Sequence, residues 1–176
     1  MTSRLPLSVL ALGLTIAAFG CGKDTPATPT PAPDPKFTAT LLPSNEVPAV
    51  TNADASGSGT VTISMHNTKD ASGNITASNA DFTFTLTGFP AGTVLTAAHI
   101  HPGAAGVNGS PAWNLNLVSG ANTLANGSIT LTVPAVNPSD VAIAQQIINN
   151  PAGFYFNVHT TINTGGAARG QLVRAN

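Results

Sequence analysis

The sequence predicts an all-β fold: an antiparallel β-sandwich of about seven or eight short strands with one brief helix. Three observations lead there. Apolar residues alternate with Thr and Ser at a period of two in several segments, as one buried and one outward face require. Turn chemistry, such as Gly73-Asn74, Asn126-Gly127 and Gly165-Gly166, falls between those segments. Charged residues make up only 7% of the chain, so Thr, Asn and Ser carry its polarity, which suits the outer faces of strands.

The elements follow in order. Residues 37–42 alternate weakly and read as an opening strand that Pro43 stops. In residues 60–66, Val61, Ile63 and Met65 face one way and Thr60, Thr62, Ser64 and His66 the other. After a turn at 70–74, residues 81–88 place Phe82, Phe84 and Leu86 inward and Thr83, Thr85 and Thr87 outward. Residues 96–109 run from a strand into a Gly-rich loop, and 113–118 and 128–133 read as two further strands. Residues 139–149 form the helix candidate, with Asn137 or Ser139 as cap, Pro138 in its first turn, and an apolar stripe of Val141, Ala144, Ile147 and Ile148. Strands at 154–160 and 169–173 complete the set. Alternation in nearly every strand predicts that each sheet has one face in the core and one in solvent.

The N-terminus carries an address. Arg4 precedes a run of about thirteen uncharged, mostly apolar residues (7–19), too short to span a bilayer but suited to a signal peptide, here residues 1–20. Cys21 is the only cysteine. Its place after the apolar run resembles the lipobox of bacterial lipoproteins, which implies lipidation at Cys21 and anchorage to a membrane. Ala18 and Phe19 depart from the usual lipobox residues. Residues 21–36 then read as the lipidated Cys and a Pro-rich tether, with prolines at 26, 29, 31, 33 and 35 and too little apolar surface to pack. With Cys21 on lipid, no disulfide can form within the mature chain. The expected location is the bacterial cell envelope, outside the cytoplasmic membrane.

Residues 37–176 have the size of one ordinary domain. The basic residues in it are Lys69, Arg169 and Arg174, and without a basic patch there is no electrostatic basis for binding nucleic acid. Neither a nucleophile-elbow Ser nor a close carboxylate pair is evident, which argues against hydrolytic enzyme chemistry.

Histidines carry the sharpest chemical signal. His99 and His101 share a strand face, and His159 lies on the face of its strand opposite Phe154, Phe156 and Val158. If those strands pair, three imidazoles gather on the face away from the core. One reading is a Cu or Zn site, since neutral imidazole ligates either ion. The other is that the rings hydrogen-bond backbone groups of the Gly-rich loop and organise it without metal, and this second outcome is the one expected. Glu46 and Arg169, rare charges near opposite ends of the domain, form a candidate buried pair tying the first strand region to the last.

Three motifs together resemble the CHRD domain, a module named for chordin and also found in secreted bacterial proteins. They are Leu42-Pro43-Ser44-Asn45-Glu46-Val47-Pro48, Ala98-His99-Ile100-His101-Pro102-Gly103 through Asn108-Gly109, and Asn157-Val158-His159-Thr160 with Arg169-Gly170-Gln171-Leu172. The resemblance implies an extracellular sandwich, of immunoglobulin-like or superoxide-dismutase-like kind, and no defined activity. Ala167 stands where the family often carries Glu. The His-x-His-x-Gly spacing is also similar to copper–zinc superoxide dismutase. That enzyme needs further His ligands, an Asp and a disulfide, whereas here only His159 follows the pair and His66 precedes it. The expected function is therefore a non-enzymatic, lipid-anchored binding or structural module without a cofactor, with a Cu- or Zn-binding protein as the alternative.

Overall fold

The computed structural model describes residues 33–118 and 120–176. The expected signal peptide, the lipidation candidate Cys21 and the tether up to residue 32 lie outside the described residues.

Two antiparallel sheets pack face to face, as the alternation requires. The first contains β1 (Lys36–Leu41), β2 (Ser58–Lys69), β3 (Ile75–Thr87), β7 (Ile129–Val136) and β10 (Val173–Arg174), in the order β10-β1-β2-β3-β7. The second has the order β5-β4-β8-β9, from β4 (Thr93–Pro102), β5 (Trp113–Asn114), β8 (Phe154–Thr160) and β9 (Ala168–Gln171), with β6 (Thr123–Leu124) also on β4. Among the described residues two of these strands, β6 and β10, are two-residue pairings that the sequence did not separate out, which accounts for the smaller count expected from it.

The inward residues read from the pattern do form the core. Phe37, Val61, Ile63, Met65, Phe82, Phe84 and Leu86 of the first sheet are sealed from solvent against Ile100, Phe156 and Val158 of the second. Phe82 meets Trp113 edge to face at 5.9 Å and stacks on Phe156 at 6.1 Å. Each such side chain contributes about 1.5–3 kcal/mol by leaving water. The Trp113 indole N–H, buried with its ring, donates to the Val136 carbonyl at 3.2 Å. On the outer face, Thr hydroxyls pair across β3 and β7, Thr83 with Thr132 and Thr85 with Thr130.

Four expectations change. The segment 113–118 pairs only at Trp113–Asn114, because Asn116 takes a left-handed φ of 49° that ends the extended run. The strand expected at 81–88 starts at Ile75, where the hairpin with β2 continues past the clean alternation. The helix α1 (Val141–Asn149) is capped by neither Asn137 nor Ser139. Asp140 caps it, accepting the Ala142 N–H at 2.9 Å, so Pro138 falls outside its first turn. Ala144 and Ile147 of the expected stripe are the buried pair that seats it.

The fourth change concerns the tether. Its last residues dock: the Pro35 carbonyl accepts Met65 N–H at 3.0 Å, the Asp34 carbonyl accepts the Asn176 amide, and Lys36 begins β1. Proline cannot donate to a ladder but its carbonyl can accept, so a Pro-rich segment can still extend a sheet edge. A chain starting at residue 37 should therefore be about 1–2 kcal/mol less stable than one starting at residue 33. Urea midpoints of the two would measure it, and equal midpoints would mean these contacts contribute nothing.

Candidate functional site

β4 and β8 build the site, and a bulge aims it. Upstream of Thr96 the core-facing residues are odd-numbered, Thr93 and Leu95; downstream they are Ala98 and Ile100, while His101 is buried on the opposite face. The register shifts between Leu95 and Ala97, and that shift exchanges the two faces of the strand. His99 and His101 consequently point away from the core. Pairing sets Ala97 opposite His159, His99 opposite Asn157, and His101 opposite Tyr155, so all three imidazoles share one face.

That face is not in solvent. Every residue of β8 is buried, including Tyr155, Asn157 and His159 on the side away from the core. The expectation of one wet face per sheet fails here because loops fold over β8 and β9. The 3₁₀ turns at Pro43–Asn45 and Ala53–Ser56 belong to one loop, and the Gly-rich 103–110 segment forms another. A Cβ on Gly109 would collide with the Pro102 carbonyl, so only glycine lets that loop turn back so closely.

Three imidazoles meet under this cover. His99 Nδ1 lies 3.0 Å from His159 Nε2, and one ligating nitrogen from each of the three rings falls within 4.8 Å of the others. His101 Nδ1 donates to the Gly109 carbonyl at 2.9 Å, and His159 Nδ1 to the Thr164 carbonyl at 2.9 Å. Two rings therefore do organise loops, as the metal-free reading requires. Since carbonyls only accept, both rings carry their proton on Nδ1 and turn the Nε2 lone pair into the cluster. Burial holds the imidazoles neutral. It pushes His99 down to about 4, helped by the neighbouring rings, and it lowers His101 and His159 as well.

His66 lies on the other sheet, between Asp34 at 2.8 Å and Asp81 at 3.1 Å, both largely exposed. The structure does not bring it to the cluster.

Glu46 and Arg169 do come together, and both are buried. Arg169 Nε is 3.9 Å from Glu46 Oε2, too long for a hydrogen bond, so each group finds other partners. Arg169 donates through Nε to the Asn45 carbonyl at 2.6 Å and through Nη1 to Asn108 Oδ1 at 2.7 Å. Its guanidinium lies 4.6 Å from the Tyr155 ring centroid, and Tyr155 stacks on His101 at 4.8 Å. Glu46 accepts the Asn157 amide at 3.1 Å. Loss of water drives its carboxyl up to about 7, against the opposing pull of Arg169 and Asn157. The arginine, on β9, thus pins both covering loops to the sheet and lies over Tyr155 of β8. Ala167, in the position the family often gives to Glu, is fully buried.

Three contributors escaped sequence reading. Asp54 is fully buried and accepts Thr160 Oγ1 and the Asn163 amide, each at 2.6 Å. Its one local signal is Asn52, whose side chain accepts the Asp54 N–H in an Asx turn. Asn157 and Tyr155 looked like ordinary outward residues of an alternating strand.

A cleft of about 340 Å³ opens beside this network, lined by Glu46, Asn52, Asn163, Thr164 and Gly166 among others. It reaches the loop whose Thr164 carbonyl holds His159. No curated protein and no solved structure matches the chain. The family model for the CHRD domain matches residues 37–172, which takes in the His cluster, both covering loops and the Glu46–Arg169 pair; the chain belongs to the CHRD domain family.

Proposed function

We propose that this chain is a tethered extracytoplasmic module of binding or structural type, with no catalytic chemistry of its own. Residues 1–20 act as the export signal, Cys21 takes the lipid, and residues 22–32 hold the domain away from the membrane. CHRD family membership supports an extracellular, non-enzymatic kind of domain.

One observation carries the non-catalytic reading. Each of the main buried polar side chains holds a loop through at least one hydrogen bond: Arg169 to Asn45 and Asn108, Asp54 to Thr160 and Asn163, His101 to Gly109 and His159 to Thr164. Among the described residues, no Ser, Thr or Lys side chain is hydrogen-bonded to an imidazole, so no nucleophile is paired with a base.

Detergent phase partitioning tests the anchor. Wild type is expected in the detergent phase and Cys21→Ala in the aqueous phase. A wild type that already partitions as soluble would refute lipid anchorage.

A further inference from the structure

We propose that His99, His101 and His159 form a binding site for one Cu²⁺ or Zn²⁺ ion, on Nε2 of His101, Nε2 of His159 and Nδ1 of His99. This goes beyond the tethered module above and does not depend on how the domain is anchored.

Loop organisation explains one nitrogen of each bonded ring and leaves the other unexplained. His101 Nε2 is buried and has no hydrogen-bond partner among the described residues. Asn157, on the same face, lies near enough to His101 to raise its affinity for a proton, but no bond of hydrogen-bonding geometry joins them. Its amide goes to Glu46, and its Oδ1 is also without a partner among the described residues. A buried lone pair without a donor is costly, and such atoms in native folds ask for an unseen water or ion. An ion at the centre of the three rings would satisfy it. The rings already stand close to that geometry. Tetrahedral Zn–N bonds of about 2.0–2.1 Å put ligand nitrogens about 3.3–3.4 Å apart. The His99 to His159 contact is 3.0 Å and the widest separation is 4.8 Å, so small side-chain rotations suffice.

The surroundings match what a metal demands of its ligands. Imidazoles that bind metal through Nε2 usually give Nδ1–H to a carbonyl or carboxylate, which fixes the tautomer and the ring plane. Gly109 and Thr164 do this for His101 and His159. Stacking on Tyr155, with ring planes 2° apart, holds His101 further. His99 has no carbonyl lock. Moving its proton from Nδ1 to Nε2 frees the nitrogen that faces His159, with no change of charge. The donor set is three neutral imidazoles, with no thiolate and no carboxylate in the cluster, which favours Cu²⁺ or Zn²⁺ over Ca²⁺ or Mg²⁺.

The test uses the full-length, untagged chain after treatment with a chelator. It is titrated with Zn²⁺ and separately with Cu²⁺ at about pH 7.5, where free imidazole is neutral. The expected result is saturation at one ion per chain, with a melting temperature that rises with the logarithm of free metal. His99→Ala is the informative variant, because His99 holds no loop carbonyl and its loss leaves both locks in place. It should fold and bind at least about 100-fold more weakly, since losing a ligand costs no less than losing an outer-shell partner. His66→Ala should bind like wild type. The Cu²⁺ form should show electron-paramagnetic hyperfine structure from imidazole nitrogens, a reading on wild type that survives any folding defect in a variant. Absence of saturable uptake would overturn the proposal, as would an unchanged affinity in His99→Ala. Uptake lost in His66→Ala alone would place the ion among Asp34, His66 and Asp81 and overturn it too.

Discussion

Arg169→Ala is expected to destabilise the domain by about 3–5 kcal/mol, the range for removing one partner from a buried, charge-bearing network. The guanidinium is 2% exposed, and its loss strands the Asn45 carbonyl and the Asn108 side chain while emptying the space against Tyr155. Arg169→Lys should recover little, because a single ammonium cannot reproduce a planar fork that reaches both loops. Chemical denaturation measures the cost, and a loss below about 1 kcal/mol would assign the pair the value of a surface bridge. A double-mutant cycle with Glu46→Gln separates the charge from the packing. At about pH 8, above the Glu46 value of about 7, coupling should exceed about 1 kcal/mol; near pH 5 the protonated Glu46 should couple less. Coupling that ignores pH would show that the Glu46 charge is not what Arg169 offsets.

The second large effect is a pH dependence in which two groups oppose each other. Glu46 is raised from 4.5 to about 7 by burial, so the folded state binds its proton more tightly than the unfolded chain does. Its contribution is present below pH 4.5 and is lost as pH rises through about 7. His99 is lowered from 6.5 to about 4, so its contribution is present above pH 6.5 and is lost as pH falls toward 4. Between about pH 4.5 and 6.5 the unfolded chain carries a proton on His99 and the folded chain carries one on Glu46, and the two slopes cancel. Glu46→Gln removes one side of that balance. Its stability relative to wild type should rise by about 1.4 kcal/mol per pH unit between 4.5 and 7. His101 and His159, lowered by burial, and His66, raised by its hydrogen bonds to Asp34 and Asp81, contribute equally to each protein and drop out of the difference. Parallel profiles for the two proteins would place the Glu46 carboxyl at an ordinary value.

Period-two alternation made most of the sandwich legible. Val61, Ile63, Met65, Phe82, Phe84 and Leu86 were all readable as inward, because each strand carries its own record of one buried face. The cluster was legible up to the pairing of β4 with β8, which joins segments about sixty residues apart and leaves no local trace. The cover was not legible at all. Tyr155, Asn157 and His159 obey the same alternation as solvent-facing residues, and only the return of the 43–56 and 103–110 loops buries them. The bulge at Thr96 escaped for a related reason: a single inserted residue is visible only against a partner strand. Asp140 outcompeted Asn137 and Ser139 as cap because the helix starts later than the first polar candidate, a boundary set by how Ala144 and Ile147 seat on the core.

The position of β1 has a mechanical consequence. It is an interior strand, hydrogen-bonded along its length to β2 and at its start to β10, where Phe37 pairs with Arg174 and Thr38 with Val173. Force arriving through the residues before Lys36 therefore does not peel an unguarded edge. It loads hydrogen bonds on two sides at once, reinforced by the Ala175 N–H held on the Lys36 carbonyl at 2.8 Å and by Phe37 locked in the core. Under the proposed tethering, the strand that receives the leash is gripped from both flanks, so a pull along it meets resistance from its first step.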